Sequence, residues 1–172
     1  LAEATQLAPE RPELHIKLSE AWYLLGDGFL RYNSRYGPMR KAFRAATQAG
    51  ENAISAQNPA FRDALCRRKS PAELAKVLRK EDALAIYTWV AALGRLGLSE
   101  NVVTVLQHDR LFQALGMVLS KLDPTLYFSA AKRFMGAYYS RAPFPGGRLA
   151  EAERLLSEAI TEEPRFFGNR TL

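Results

Sequence analysis

The stretch that decides the fold is Leu122-Asp123-Pro124-Thr125-Leu126-Tyr127-Phe128-Ser129-Ala130-Ala131-Lys132-Arg133-Phe134-Met135-Gly136-Ala137-Tyr138-Tyr139, then Pro143-Phe144-Pro145-Gly146-Gly147, then Arg148-Leu149-Ala150-Glu151-Ala152-Glu153-Arg154-Leu155-Leu156-Ser157-Glu158-Ala159-Ile160, closed by Pro164. Leu126, Ala130, Phe134 and Tyr138 recur at four-residue spacing, with Tyr127, Ala131, Met135 and Tyr139 beside them. That spacing predicts a helix with only a narrow polar strip, which must have neighbours on both sides. After the proline-glycine break, Ala152, Leu156 and Ala159 share one helical face, small enough to lie close against the first arm near Gly136, while Glu151, Glu153, Arg154 and Glu158 share the other. Two helices and a terminal proline form the unit of a helical repeat.

The rest of the chain repeats this plan loosely. Residues 1–8 read as the tail of a helix closed by Pro9. The chain begins at Leu1 already in helical register, so the expectation is a truncated or capping repeat whose upstream residues, including any signal peptide or lipid anchor, have been removed. In a long helix from Pro12 to about Tyr36, Trp22, Leu25, Gly26 and Phe29 reproduce the W-x-x-L-G-x-x-Y phrase of the tetratricopeptide repeat with phenylalanine for tyrosine. Gly26-Asp27-Gly28 weakens that helix, which is read as continuous or slightly kinked.

Gly37-Pro38 separates this helix from a second arm over 38–57. Asn58-Pro59 closes that arm, and Ser70-Pro71-Ala72-Glu73 predicts a capping box with proline at the first helical position. A further helix over 81–97 carries Leu93-Gly94 as a second small-residue contact. The β-branched stretch in 99–107 is read as a helical turn or loop, and a helix over 109–122 follows. Intervals from helix glycine to closing proline (Gly26 to Pro59, Gly94 to Pro124, Gly136 to Pro164) are unequal, so the repeats are degenerate. The expected architecture is all-α, one domain over 1–172. Tetratricopeptide-like hairpins at about 12–57, 81–122 and 124–162 form a right-handed superhelical solenoid, with short helices over 59–80 as an insert.

Bulk composition narrows the function. At 172 residues with 48 % hydrophobic and 24 % charged residues, the chain can bury a core without covalent staples. The net charge of +6 and a pI near 9.6 raise nucleic-acid binding. The basic residues nevertheless scatter over different helices, with Arg67-Arg68-Lys69 the densest run, and no nucleic-acid recognition motif accompanies them. The reading is no nucleic-acid partner. No apolar run approaches the ~18 residues of a membrane span.

Chemistry-bearing residues are few. Cys66 is the single cysteine, read as a half-buried structural thiol, and His15 and His108 lack neighbours at metal-ligand spacing. Catalytic, nucleotide and zinc motifs are absent. No metal, no cofactor and no enzyme are expected.

The aromatic residues carry more information. Trp22, Tyr23, Phe29, Tyr32 and Tyr36, then Tyr87 and Trp89, then Tyr127, Phe128, Phe134, Tyr138 and Tyr139 fall on three first arms, and first arms line the inner face of a helical solenoid. The candidate ligand-binding set is Trp22, Phe29, Tyr32, Tyr87, Trp89, Phe134, Tyr138 and Tyr139. Ordinary core packing is the alternative for each.

Met135-Gly136-Ala137-Tyr138-Tyr139, then Pro143, Gly146-Gly147, Ala152, Leu156, Ala159-Ile160 and Pro164, resemble the signature of the T component of tripartite ATP-independent periplasmic (TRAP) transporters. So do Glu81-Asp82 with Tyr87-Thr88-Trp89, and Leu122-Asp123-Pro124. The resemblance covers roughly residues 15–168, and its distinctive part is the Gly-Ala-Tyr-Tyr to Gly-Gly stretch. It implies a periplasmic, often lipid-anchored scaffold that oligomerises, associates with the substrate-binding P component, and accommodates an apolar small molecule in an internal channel. The chain departs from the pattern at Lys132, where the repeat has tryptophan, and Asp63-Ala64-Leu65-Cys66 is not a lipobox.

Two other readings stay open. A generic tetratricopeptide adaptor would grip a peptide in its concave groove through residues such as Asn33 and Lys132. An enzyme would need a perturbed carboxylate in an aromatic cavity, with Asp27 or Asp82 as the candidates.

Overall fold

The computed structural model describes residues 1–32, 36–142 and 147–169, and all regular structure among them is helical. Asn33, Pro143 and Gly146, which enter the adaptor and transporter readings, lie outside the described residues. Ten α-helices run in chain order: α1 Ala2–Leu7, α2 Pro12–Leu24, α3 Tyr36–Gln57, α4 Pro59–Cys66, α5 Pro71–Lys76, α6 Ala83–Glu100, α7 Val102–Gln107, α8 Asp109–Leu122, α9 Ala130–Arg141 and α10 Leu149–Glu162. Helix α2 packs on α3, α3 on α6, α6 on α8, and α9 on α10.

The first long helix continues beyond Leu24 as a π-helical turn, Leu25–Leu30. The Arg31 N–H reaches back five residues to Gly26 O at 3.0 Å. The two weak glycine positions are thus absorbed by over-wide winding, not by a helix end. The Gly37-Pro38 break falls inside the first turn of α3, which begins at Tyr36, so Tyr36 belongs to a second arm. The β-branched stretch is helical, as α7, with the Asn101 side chain accepting from the Thr104 N–H.

A larger correction concerns the deciding stretch itself. Leu126 and Tyr127 precede the helix, which starts only at Ala130, because Tyr127, Phe128 and Ser129 all adopt positive φ (41°, 59° and 63°). Three consecutive left-handed residues with side chains cost about 1–2 kcal/mol each, so neighbouring contacts must hold them. Arg133 donates to Tyr127 O at 3.0 Å and Phe128 O at 2.9 Å, Phe128 stacks on Phe166 at 4.6 Å, and the Ser129 hydroxyl donates to Glu162 at 2.8 Å.

The core is densest along the α3–α6 seam. Ala42, Ala46, Ala49 and Ala53 are buried on α3 against Ala85, Ile86, Trp89, Val90 and Leu93 of α6 in a continuous apolar interior. A Cβ placed on Gly50 would lie 2.6 Å from Trp89 Cα, so the two backbones approach as closely as glycine allows. Gly26 and Gly136 play the roles expected of them: a Cβ at either would fall 2.7 Å from Phe43 or from Leu156. Gly94 differs, since a Cβ there meets only Phe112 and Phe134 at 3.7 and 3.8 Å.

Short helices α4 and α5 close one end. Asn58 caps α4 by accepting from the Phe61 N–H at 3.0 Å, and its amide donates to Val77 O and to the buried Asp82 carboxylate at 2.9 and 2.6 Å. Gln57 and the Arg79 N–H also donate to Asp82, both at 2.9 Å, which ties α3, α4 and α6 together. The predicted capping box opens α5: Ser70 and Glu73 exchange hydrogen bonds reciprocally. Cys66 is exposed, against expectation, because the α4 face that carries Phe61 turns it outward.

Two tests follow. Gly50→Ala forces α3 and α6 apart against backbone atoms and is expected to cost about 3 kcal/mol, whereas Gly94→Ala has room and gains about 1 kcal/mol of helix propensity. Urea unfolding midpoints of the two variants should therefore move in opposite directions. The second test is on acid. The Ser70 hydroxyl and N–H, with Lys69, hold the Glu73 carboxyl at about 2, below the ordinary 4.5. Its contribution is present above pH 4.5 and is lost as pH falls through about 2. Wild type should lose an increment of stability over that window that Glu73→Gln does not.

Candidate ligand site between the first arms

Helices α2, α6 and α9 meet around a two-lobed cavity. On α6, Tyr87, Ala91 and Arg95 recur every four residues, and on α9 Arg133, Ala137 and Arg141 do the same, so each triplet forms a stripe along one helix face. Both stripes line the cavity, joined by Tyr23 of α2. One lobe, about 200 Å³, lies toward the C-terminal halves of α6 and α9, with Gly94, Leu98, Val105, Phe112, Phe134 and Tyr138 as its apolar walls. The other, about 290 Å³, lies toward their N-terminal ends between Ser19, Glu20, Thr88, Tyr127, Phe128 and Phe166. Tyr23, Tyr87, Ala91 and Arg133 border both. Together the lobes fall in the ~300–1,000 Å³ range of small-molecule sites.

The cavity exists because α6 and α9 touch each other little, α9 being packed instead on α10 and α8. Small residues at the facing positions, Ala91, Gly94 and Ala137, leave the gap unfilled. Its walls are stiff. Phe112 stacks on Tyr138 at 5.3 Å and lies 5.8 Å from Phe134, and Tyr87 meets Tyr127 at 5.3 Å.

Three arginines supply the polar character. Arg95 lies 3.3 Å from the Tyr23 hydroxyl and 3.2 Å from Asp27, which also pairs with Arg31 at 2.9 Å. Burial works against the Arg95 charge, but Tyr23 and Asp27 outweigh it and lift the group above its usual value. Burial likewise pushes the Tyr23 phenol up, with Arg95 pulling the other way. Tyr127 is raised too, by partial burial and by Glu20, to which its hydroxyl donates at 3.4 Å. Arg133 spends its bonds on Tyr127 O, Phe128 O and the Asn169 side chain. Arg141 is exposed at the rim and has no ion-pair or hydrogen-bond partner among the described residues.

Of the eight aromatic residues expected to contact ligand, Tyr87, Phe134 and Tyr138 line the cavity. Trp89 is core, edge-on to Phe61 at 5.8 Å, and Tyr139 is buried behind Tyr138 with Arg148 over its ring. Trp22 is half-buried outside both lobes, while Phe29 and Tyr32 are exposed at the far end of the first arm, beyond the π turn that changes the helix phase. Tyr23 is among the first-arm aromatics but outside the candidate set, and Arg95, Arg133 and Arg141 escaped the sequence reading. Their signal was an arginine interrupting an otherwise apolar four-residue stripe, which reads as a solvated edge until the neighbouring helix is in place.

The alternative chemistry is placed elsewhere. Asp82 is fully buried in its hydrogen-bonded hub and Asp27 is saturated by two arginines, so neither faces the lobes as a free carboxylate. Lys132 is held by Glu158 and Glu162 at 2.9 and 2.5 Å. His15 packs with Nε2 at 2.9 Å from Pro9 O, and His108 with Nδ1 at 2.8 Å from Thr104 O. Among the described residues no cluster of histidine, cysteine or carboxylate could hold a metal, and no helix is long and apolar enough to cross a membrane. What the lobes offer is apolar surface, ring faces and fixed cationic donors. No protein-family model and no curated protein matches the chain.

Arg133 is the strongest test of this geometry, since it both lines the lobes and locks the left-handed turn. Charge-assisted hydrogen bonds of this kind contribute about 1.5–3 kcal/mol. Arg133→Met is expected to destabilise by about 2–3 kcal/mol in chemical denaturation and to raise amide exchange at residues 126–130. Unchanged exchange there would mean the turn is held without Arg133, by the Phe128–Phe166 stack and the Ser129–Glu162 hydrogen bond.

Proposed function

We propose that the chain is a binding scaffold of the TRAP T-component type, which holds an apolar or amphipathic small molecule between its first arms and serves a periplasmic solute receptor. The observation that carries this reading is that both lobes open among α2, α6 and α9, the first arms of the three hairpins. In a stacked helical-repeat protein those arms form the concave, ligand-bearing face. The second arm α3 packing on the next first arm α6 is the contact a right-handed solenoid repeats, and it supports that arrangement here.

Docking on the substrate-binding P component, homo-oligomer formation, and a periplasmic, lipid-anchored setting belong to the same proposal. The resemblance around Gly136-Ala137-Tyr138-Tyr139 supports them. Against the peptide-adaptor reading, Lys132 is neutralised by two glutamates on the α10 side, while Asn33 lies outside the described residues.

Native mass spectrometry of the purified protein, before and after organic extraction, tests the proposal. The expected result is a non-covalent mass increment that extraction removes and that Ala91→Trp, which plugs the waist of the cavity, prevents from forming. An empty species in both preparations, identical for wild type and variant, would overturn it.

A further inference from the structure

The charge around the first lobe is one-sided. Among the described residues Arg95, Arg133 and Arg141 line it and no carboxylate does. Asp27 balances Arg95 from outside the lining. Among the described residues Arg133 is met by the neutral oxygens of Tyr127, Phe128 and Asn169 and by the Phe166 ring, and by no carboxylate. Those three bonds use three of the five N–H donors of a guanidinium. Arg141, two turns along the same stripe, is unpaired among the described residues. The one carboxylate at the cavity, Glu20, stands on α2 at the opposite, second lobe, engaged by Tyr127. An apolar pocket walled by Phe112, Phe134 and Tyr138 therefore lies beside two cations, Arg133 and Arg141, that no carboxylate among the described residues compensates.

We propose that this lobe is a receptor for a single-chain organic monoanion, whose apolar body lies against Ala91, Gly94, Phe134 and Ala137 and whose carboxylate-type head pairs with Arg141 at the rim, with Arg133 adding positive potential from the waist. This inference rests on the small-molecule reading above and adds the charge class of the ligand. Complementarity of sign carries it. A neutral apolar molecule would gain nothing from the arginines, whereas an anion gains a charge-assisted bond from Arg141 and the favourable potential of Arg133. A cation would be repelled.

A matched series tests it: octanoate, octan-1-ol and octylammonium titrated calorimetrically into the full chain at low and moderate salt. Arg141→Gln is the companion variant, chosen because the exposed Arg141 supports no other group. Octanoate is expected to bind at least about tenfold tighter than octan-1-ol, the size of one partly solvated charge-assisted hydrogen bond. Its affinity should fall with salt, and Arg141→Gln should remove most of that advantage while leaving octan-1-ol within about twofold. Equal binding of octanoate and octan-1-ol would overturn the anion inference and leave the apolar-cavity reading standing. Octylammonium as the tightest ligand would overturn it in favour of Glu20. Binding of none of the three would overturn both readings.

Discussion

Helix α6 can lie where it does because Gly50 has no side chain. The α3 face that receives it is rich in alanine between Phe43 and Ile54, and at Gly50 the Trp89 backbone takes the place a Cβ would fill. With α6 drawn so deeply onto α3, Trp89 becomes core, and its partners Ile86, Val90 and Leu93 are buried with it. The opposite side of α6, bearing Tyr87, Ala91 and Arg95, is left to look toward α9. Because α9 is committed to α10 through Gly136 and to α8 through Met135, it does not close that space. The cavity follows from two tight seams that pull α6 and α9 in different directions.

The same economy governs the turn before α9. Three left-handed residues carry the chain from α8 into α9, and Arg133 holds their carbonyl oxygens while standing at the waist of the cavity. One guanidinium thereby links the path of the backbone to the chemistry of the site. Phe166, stacked on Phe128 and lying 4.8 Å beneath Arg133, brings the end of α10 into this arrangement. The residues just beyond that helix thus serve as a lid for the turn and as a wall of the second lobe.

Much of the fold was legible in the residues. Helical periodicity and proline positions placed α3, α6, α8 and α10 to within a few residues. The Ser70 to Glu73 phrase located a capping box outright, and Gly136 announced the close contact with Leu156. What was not legible was conformation that tertiary contacts impose on unfavourable residues. Nothing local in Tyr127-Phe128-Ser129 asks for positive φ, and contacts from Arg133, Glu162, Phe166 and Asn169 make it tenable.

The candidate site was half legible for a related reason. Aromatic residues on first arms pointed to the three helices that border the cavity, and Tyr87, Phe134 and Tyr138 line it. Helical phase assigned Trp89 and Tyr139 to the wrong side, since a helix apolar almost all round gives no clue to which face meets a void. The π turn displaced Phe29 and Tyr32 from that surface altogether. The most direct measurement of the central claim is photolabelling with a short alkyl diazirine, followed by peptide mapping. Labels concentrated on α6 and α9 segments containing Ala91, Gly94, Phe134 and Ala137 are predicted. Labels confined to the exposed Phe29–Tyr32 end, with none on those two helices, would contradict a ligand site between the first arms.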